Sequence, residues 1–382
     1  MRVWSEEQER LRESFAAVFA ACGEGHLERD RSAEFSHAQW KLLAEAGLLR
    51  LPFGTEWGGS GQDLLTTMYV LEGLGYGCRD SGLNFAVSTH VVSTGIPVQR
   101  FGSAELKARY LPGICDGSAI GAHAITERTG GSDAAAMRMT AIARGDSYVL
   151  NGEKRFISSG PVADLFLVYA KTDPEQGAFG MTAFVVERDT PGLTVGPPID
   201  KMGLRTSPFC DVTFDDCVVP AANVVGRPGR GFFILDHVMK WEILCSFIIS
   251  VGAMRHRMER CAEFARSRTQ FGAAIGSCQL IADKIVDMRI GVETAAKWLY
   301  DTAERFVSGA DVMVDIAIAK LLASEANLRS AADAVQVFGA RGYLTEYGIE
   351  KELRDATGGT IYSGTSEIQR DKIARMLGIQ RT

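Results

Sequence analysis

Along the first third of the chain apolar residues recur at spacings of three and four, as in Leu11, Phe15, Val18 and Phe19 and again in Trp40, Leu43 and Leu48. That is the period of helices that bury one face. The breaker cluster Gly54-Thr55-Glu56-Trp57-Gly58-Gly59-Ser60-Gly61 predicts a loop inside this helical region. From about Ile120 to Val225 the period shortens. Leu165-Phe166-Leu167-Val168-Tyr169-Ala170 and Met181-Thr182-Ala183-Phe184-Val185-Val186 are runs of strand length, and Asn151-Gly152 predicts a hairpin between Tyr148-Val149-Leu150 and Phe156-Ile157. After the turn Gly226-Arg227-Pro228-Gly229-Arg230-Gly231 the helical period returns, in long segments centred on Ile243, Ile285, Ile316 and Val335. The pattern predicts an α+β multidomain fold, with an N-terminal α-helical domain over 1–115, a central β-sheet domain over 116–225 and a four-helix-bundle-like C-terminal domain over 226–382. No repeat, low-complexity tract or long linker separates these parts, so they are expected to pack as one body.

Composition narrows function more than fold. The 382 residues are 46% hydrophobic and 23% charged, with a net charge of −6, as in an ordinary globular protein with ample core. No basic tract gathers, and the arginines from Arg255 to Arg268 alternate with apolar residues, so nucleic acid is not expected as a partner. No run of eighteen apolar residues occurs, and the start Met1-Arg2-Val3-Trp4-Ser5-Glu6-Glu7 brings in acids at once. Membrane insertion and a leader are therefore not expected, and the expected location is the cytoplasm. Eight cysteines without a C-x-x-C pair predict neither a metal site nor a disulfide framework; they read as small core residues. The 226–231 segment lacks the surroundings of a phosphate loop and reads as a turn between domains.

The informative chemistry lies near the C-terminus. Ile361-Tyr362-Ser363-Gly364-Thr365-Ser366-Glu367-Ile368-Gln369-Arg370 closely resembles the flavin-site loop of acyl-CoA dehydrogenases, and the order helical, β, helical is similar to that family's over essentially the whole chain. In most members a glutamate between the aromatic residue and the glycine removes the α-proton of the thioester. Here Ser363 holds that position, and an unactivated hydroxyl is far too weak a base. The resemblance implies a carboxylate from elsewhere. Members similar to isovaleryl-CoA and long-chain acyl-CoA dehydrogenases take it from a helix early in the C-terminal domain, where this chain has Met239-Lys240-Trp241-Glu242-Ile243-Leu244-Cys245. Glu242 is thus the candidate base. In so apolar a helix its pKa is expected to be pushed up, toward that of a general base near neutrality. The alternative is a Glu242 facing solvent beside Lys240.

The same resemblance implies FAD. Ala122-His123-Ala124-Ile125-Thr126-Glu127, followed by Gly130-Gly131-Ser132-Asp133, resembles the strand and loop that contact flavin and pantetheine, which assigns Ile125, Thr126 and Ser132. Neutral donors suit a ring that takes up negative charge on reduction. Arg128 stands where the family has proline. Phe156 and Ser158, in Phe156-Ile157-Ser158-Ser159-Gly160, resemble the segment that covers the flavin. Arg268, Gln270 and Phe271, with Gln279, and Gln336, Gly339 and Ala340 resemble segments that bind the FAD pyrophosphate and adenosine across a subunit interface. They imply an oligomer, a homotetramer. Ala340 replaces the second glycine of a family pair. Thr365 and Glu367 complete the cofactor set, and His123, Ser132, Ser363 and Gly364 are the implied substrate contacts.

Trp241-Glu242 together with Ser363-Gly364-Thr365 is similar to the members that oxidise prolyl or related acyl groups tethered to carrier proteins in specialised metabolism. The implied function is FAD-dependent α,β-dehydrogenation of an acyl thioester, on a carrier protein or on CoA, with electron-transfer flavoprotein or oxygen as acceptor. Ordinary oxidation of a short or branched acyl-CoA, a flavin oxidase or monooxygenase on the same fold, and a non-catalytic flavin- or acyl-binding subunit stay open. His123 is expected either to shape the acyl pocket or to pack with a satisfied ring nitrogen, and His90 to be structural. Arg354-Asp355 is expected to form a buried pair. The Ser363 side chain is expected to be expendable.

Overall fold

A computed structural model describes residues 3–379; Met1 and Arg2, which open the acidic N-terminal segment, lie outside it. Helices α1 (Glu6–Ser14), α2 (Ala16–Gly23), α3 (His26–Ser32), α4 (His37–Glu45), α5 (Leu64–Gly77), α6 (Ser81–Ser88), α7 (Ile96–Phe101) and α8 (Ala104–Cys115) form the first part. Their starts are legible in the sequence. Ser5 and Gln8 form a reciprocal capping box on α1, while Asp63, Asp80 and Ser103 cap α5, α6 and α8. The predicted breaker cluster is a loop with one 3-10 turn. Between α6 and α7 the helix widens into a fully buried π-helical stretch, Thr89–Gly95.

The middle part is an eight-stranded sheet: β1 (Gly121–Ala124), β2 (Thr140–Arg144), β3 (Ser147–Ser158), β4 (Leu165–Lys171), β5 (Met181–Glu187), β6 (Leu193–Val195), β7 (Phe209–Pro220) and β8 (Val224–Val225). The order is β6-β7-β3-β2-β4-β5-β8, with β1 parallel on β4. Strand β4 reads as unbroken apolar sequence because both faces are covered. Leu165, Leu167 and Tyr169 join the helical core, while Phe166, Val168 and Ala170 join a separate core within the sheet domain. Asn151-Gly152 does not make a hairpin. β3 runs through it, and the reversal comes at Gly145-Asp146, between β2 and β3. The Asn151 amide instead pairs with Asp216 on β7, at 3.0 and 2.8 Å, and the register shift between Leu150 and Gly152 is a bulge in β7, where Asp215 and Asp216, the latter at φ +45°, lie opposite Asn151 alone. The cross-strand partner outweighed the local turn signal.

The last part holds α9 (Gly231–Ser267), α10 (Gln279–Val307), α11 (Met313–Phe338), α12 (Ala340–Tyr343), α13 (Ile349–Gly358) and α14 (Ser366–Met376). The 226–231 segment is the turn that starts α9, as predicted. Helix α9 packs on α5, and Gly252 permits the approach: a Cβ there would lie 2.7 Å from the Tyr76 amide nitrogen. No helix of the described residues is long and apolar enough to cross a membrane. Seven of the cysteines are buried as expected, but Cys278 is exposed at the start of α10. Arg354 and Asp355 do not pair with each other. Adjacent on α13, they point apart: Arg354 binds Asp30 and Glu350 at 2.7 and 2.6 Å, and Asp355 takes Lys351 at 2.6 Å and the Leu204 amide.

Candidate active site

Glu242 sits on the face of α9 that meets the π-helical stretch, strand β1 and the loop between α13 and α14. Each contributes one side chain. Ser93 Oγ donates to Glu242 Oε2 at 2.6 Å, Ser363 Oγ donates to Oε1, and His123 Nδ1 lies 3.6 Å from Oε2. The solvent-facing alternative fails, since the Glu242 side chain is 15% exposed and Lys240 binds Asp236 at 2.6 Å. Ser363, at φ +55°, occupies the left-handed region. Its loop is held by buried Gln369, whose Nε2 donates to the Ser363 and Gly364 carbonyls at 3.0 and 3.2 Å. Gly364 has φ +87°, and a Cβ there would come 2.6 Å from that Nε2. Tyr362 anchors the other side of the loop against Phe247 and Phe85, ring centroids 5.4 and 4.7 Å away.

This cradle corrects two expectations. Burial does push the Glu242 carboxyl up, but the hydrogen bond and charge of His123, with the Ser363 and Ser93 hydroxyls, outweigh it and hold the carboxyl below its ordinary range. The apolar sequence of α9 predicted the burial and not the donors that converge on it from other elements. Nor is the Ser363 side chain idle: standing where the family's usual base stands, it donates to Glu242, the candidate base.

His123 is 5% exposed, and its Nε2 has no hydrogen-bond partner among the described residues. The reading of a packed ring with a satisfied nitrogen therefore fails. The ring lies edge-on to Tyr169, centroids 5.5 Å apart, and the buried Tyr169 hydroxyl has no hydrogen-bond partner among the described residues either. His90, by contrast, is structural as expected. Its Nε2 is 2.8 Å from the Ile114 carbonyl, and its Nδ1 accepts from the Gly121 amide at 3.0 Å, which ties the π-helical stretch to β1.

Sequence reasoning missed Ser93, which carries no local signal of its own. It also missed the pair that shapes the neighbouring loop: buried Lys154 Nζ donates to Glu127 Oε1 at 2.9 Å and to the Ile125 carbonyl at 3.0 Å, and Glu127 takes the Arg138 and Met139 amides at 2.6 and 3.0 Å. Burial brings the Lys154 ammonium down to about 8. A glutamate followed by a lysine 27 positions later was the available clue, but only strand pairing brings them together.

The residues assigned to FAD fall into two groups. Thr126 and Ser158 are half-buried, and among the described residues neither hydroxyl has a hydrogen-bond partner; Phe156, two residues before Ser158, is 49% exposed at φ +59°. Of the nearby acids, Glu127 is turned inward onto Lys154, Glu153 pairs with Arg128 at 2.8 Å and Asp211 lies 3.7 Å from Arg155. Unpaired neutral donors fit the polar edge of an isoalloxazine. Ser132 lies exposed on the adjoining loop. In the second group Arg268, Gln270 and Phe271 project on a small hairpin, Thr269–Gln270 with Ala273–Ala274, whose tip residue Phe271 is fully exposed. Gln279, Gln336, Gly339 and Ala340 are exposed as well. Thr365 caps α14, its Oγ accepting from the Ile368 amide at 3.3 Å, and Glu367 is exposed in that helix's first turn.

Comparison with known proteins covers the whole of this architecture. The N-terminal, middle and C-terminal domains described as acyl-CoA dehydrogenase match residues 5–118, 122–217 and 229–378. An L-prolyl-[peptidyl-carrier protein] dehydrogenase of Pseudomonas fluorescens is 41% identical over 363 residues, 95% of this chain and 94% of that one. Among solved structures, the prolyl acyl carrier protein oxidase AnaB is 40% identical with a TM-score of 0.95 over 98% of this chain and 100% of its own. PigA, solved with FAD and proline, is 36% identical with a TM-score of 0.96 over 99% of each chain.

Proposed function

The chain belongs to the acyl-CoA dehydrogenase family, and from that membership we propose that it dehydrogenates a prolyl-type acyl thioester held on a carrier protein, with FAD as cofactor. It is an FAD-dependent oxidoreductase. The names borne by the relatives of about 40% identity support the carrier-bound prolyl group. The observation that carries the chemistry is the cradle of Ser93, His123 and Ser363 around Glu242.

Bound FAD supplies the acceptor for the hydride that leaves Cβ. Glu242 takes the α-proton. Because its three neighbours hold it below the usual carboxylate range, it is ionised throughout neutral pH and always ready, but weakly basic. The shortfall falls to the α-carbon, whose acidity rises when the thioester carbonyl is polarised. The Ser363 and Gly364 amides, which bond no other group among the described residues, are the donors this loop offers that oxygen. Ser93 and Ser363 also fix the carboxylate's direction, so that proton transfer starts from a set geometry.

Three further elements belong to the same proposal. The division of the chain at 115/116 and 225/226 is one. The homotetramer is another, supported by distance: Arg268 stands 26 residues beyond Glu242, about 39 Å along a straight helix. That separation favours a second copy supplying the Arg268 side to each FAD. A cytoplasmic location is the third. The electron acceptor is electron-transfer flavoprotein or oxygen, which flavin reoxidation in air separates.

The test is anaerobic bleaching of the flavin by proline loaded on a carrier protein, against a panel of acyl-CoAs. Bleaching by the prolyl carrier supports the reading, and bleaching by acyl-CoA alone returns the enzyme to ordinary acyl-CoA oxidation. Glu242→Gln should retain FAD and lose substrate-dependent reduction by at least about a thousandfold, the scale of general-base catalysis. Full reduction in that variant would overturn the base assignment.

A further inference from the structure

At the N-terminal end of the helix that carries Glu242 three large aromatic side chains lie open to solvent and against one another. Phe179, from the turn between β4 and β5, is 58% exposed, and Phe232 and Phe233, in the first turn of α9, are 39% and 46% exposed. Ring centroids are 5.9 Å apart for Phe179–Phe233 and 6.2 Å for Phe232–Phe233, and the Arg230 guanidinium lies 5.3 Å above the Phe233 ring. Single exposed apolar residues need no explanation, but a contiguous aromatic cluster capped by arginine has the composition of a recognition surface.

Two properties separate this cluster from a loose surface turn. Its backbone is pinned: the Gly229 amide donates to Thr182 Oγ1 at 2.9 Å, which fixes the 226–231 turn to the start of β5. Its charge is also unbalanced. Arg227 and Arg230 are exposed, and among the described residues neither has an ion pair. Of the acids in the two segments that carry the rings, Asp236 is taken by Lys240 at 2.6 Å and Asp173 accepts from the Glu175 amide and the Gln176 side chain.

We propose that this aromatic and arginine patch is the docking surface for an acidic carrier protein, which presents the acyl group to Glu242 on a phosphopantetheine arm. The inference rests on the carrier-bound reading above and adds where the partner sits. Free arginines complement an acidic partner and speed its encounter, while the rings supply the buried centre of the contact. The position suits the arm: Phe233 precedes Glu242 by nine residues on one helix, about 14 Å of rise, a span that an extended phosphopantetheine bridges.

Arg227→Glu with Arg230→Glu, and separately Phe233→Ser, are compared with the wild-type FAD-bound enzyme on two substrates. One is proline loaded on a stand-alone carrier protein; the other is the prolyl thioester of free pantetheine. The expected result is a rise in KM for the carrier substrate of about tenfold or more in the charge-reversed enzyme, steepened in the wild type by added salt, with the pantetheine thioester used within about twofold of wild type. Equal use of the carrier substrate by variant and wild type would overturn the proposal. So would equal loss on both substrates, which would place the patch in the catalytic pocket. A wild type reduced by neither substrate would instead refute the carrier-bound function.

Discussion

The proposed base, Glu242, is built by subtraction and replacement at single residues. Where the family's usual glutamate stands, Ser363 offers a hydroxyl, and that hydroxyl binds the transposed carboxylate of Glu242. A hydrogen bond to a charged group is worth about 1.5–3 kcal/mol, enough for the serine to set both the direction and the ionisation of the base. Ser363→Ala is therefore expected to slow flavin reduction about tenfold at neutral pH, with the orienting loss outweighing the gain in basicity. The sign of its pH effect follows from the same bond. A donor to the anion lowers the carboxyl pKa, so the wild-type acid limb lies below pH 4.5, the ordinary value, and removing the donor moves it to higher pH. Reduction rates measured from pH 4 to 8 check this, and an unmoved limb would show that the hydroxyl does not bind the carboxylate in solution. His123→Phe removes a third neighbour of the anion and should move the limb the same way.

Among the elements, α9 does most to assemble the site, and it is held at its far half by a charge cluster rather than by apolar packing alone. Glu352 on α13 accepts Arg257 and Arg260 of α9 at 2.6 and 3.1 Å and Arg79 at 3.2 Å. Burial pushes this carboxyl up, yet the three guanidinium groups prevail and bring it down to about 2. A carboxyl depressed on folding stabilises the fold above its unfolded pKa and loses that contribution as pH falls toward the folded value, here from about 4.5 to about 2. Glu352→Gln leaves three arginines facing one another. It is expected to cost about 3–5 kcal/mol at pH 7, seen as a lower thermal midpoint, with the gap from wild type closing as pH drops through that window. A constant gap from pH 7 to pH 3 would remove Glu352 from this role.

At the scale of the whole molecule one protomer holds only part of what its sequence implies. The Glu242 cradle closes inside the chain, whereas Phe271 stands fully exposed on its hairpin and Arg268, Gln279 and Gln336 face outward. Phe271→Asp should leave each protomer folded, with unchanged far-ultraviolet circular dichroism, but lower the FAD retained after gel filtration by about tenfold and shift the eluted species to smaller mass. Full FAD content in a monomeric variant would refute the shared-site proposal.

The sequence by itself determined the order of helical, β and helical parts, because burial periods of 3.6 and 2 are local properties of the chain. It also pointed to the terminal loop and Glu242, whose residue types are conspicuous at their positions. What it misplaced, the tertiary structure decided. Asn151-Gly152 stayed within a strand because Asp216 reached it from a bulge in the neighbouring strand, and Arg354 and Asp355 parted toward different partners. The ionisation of Glu242 reversed direction for the same reason. A pKa is set by every group within a few ångströms, and Ser93, His123 and Ser363 are distant in sequence and adjacent only in the fold.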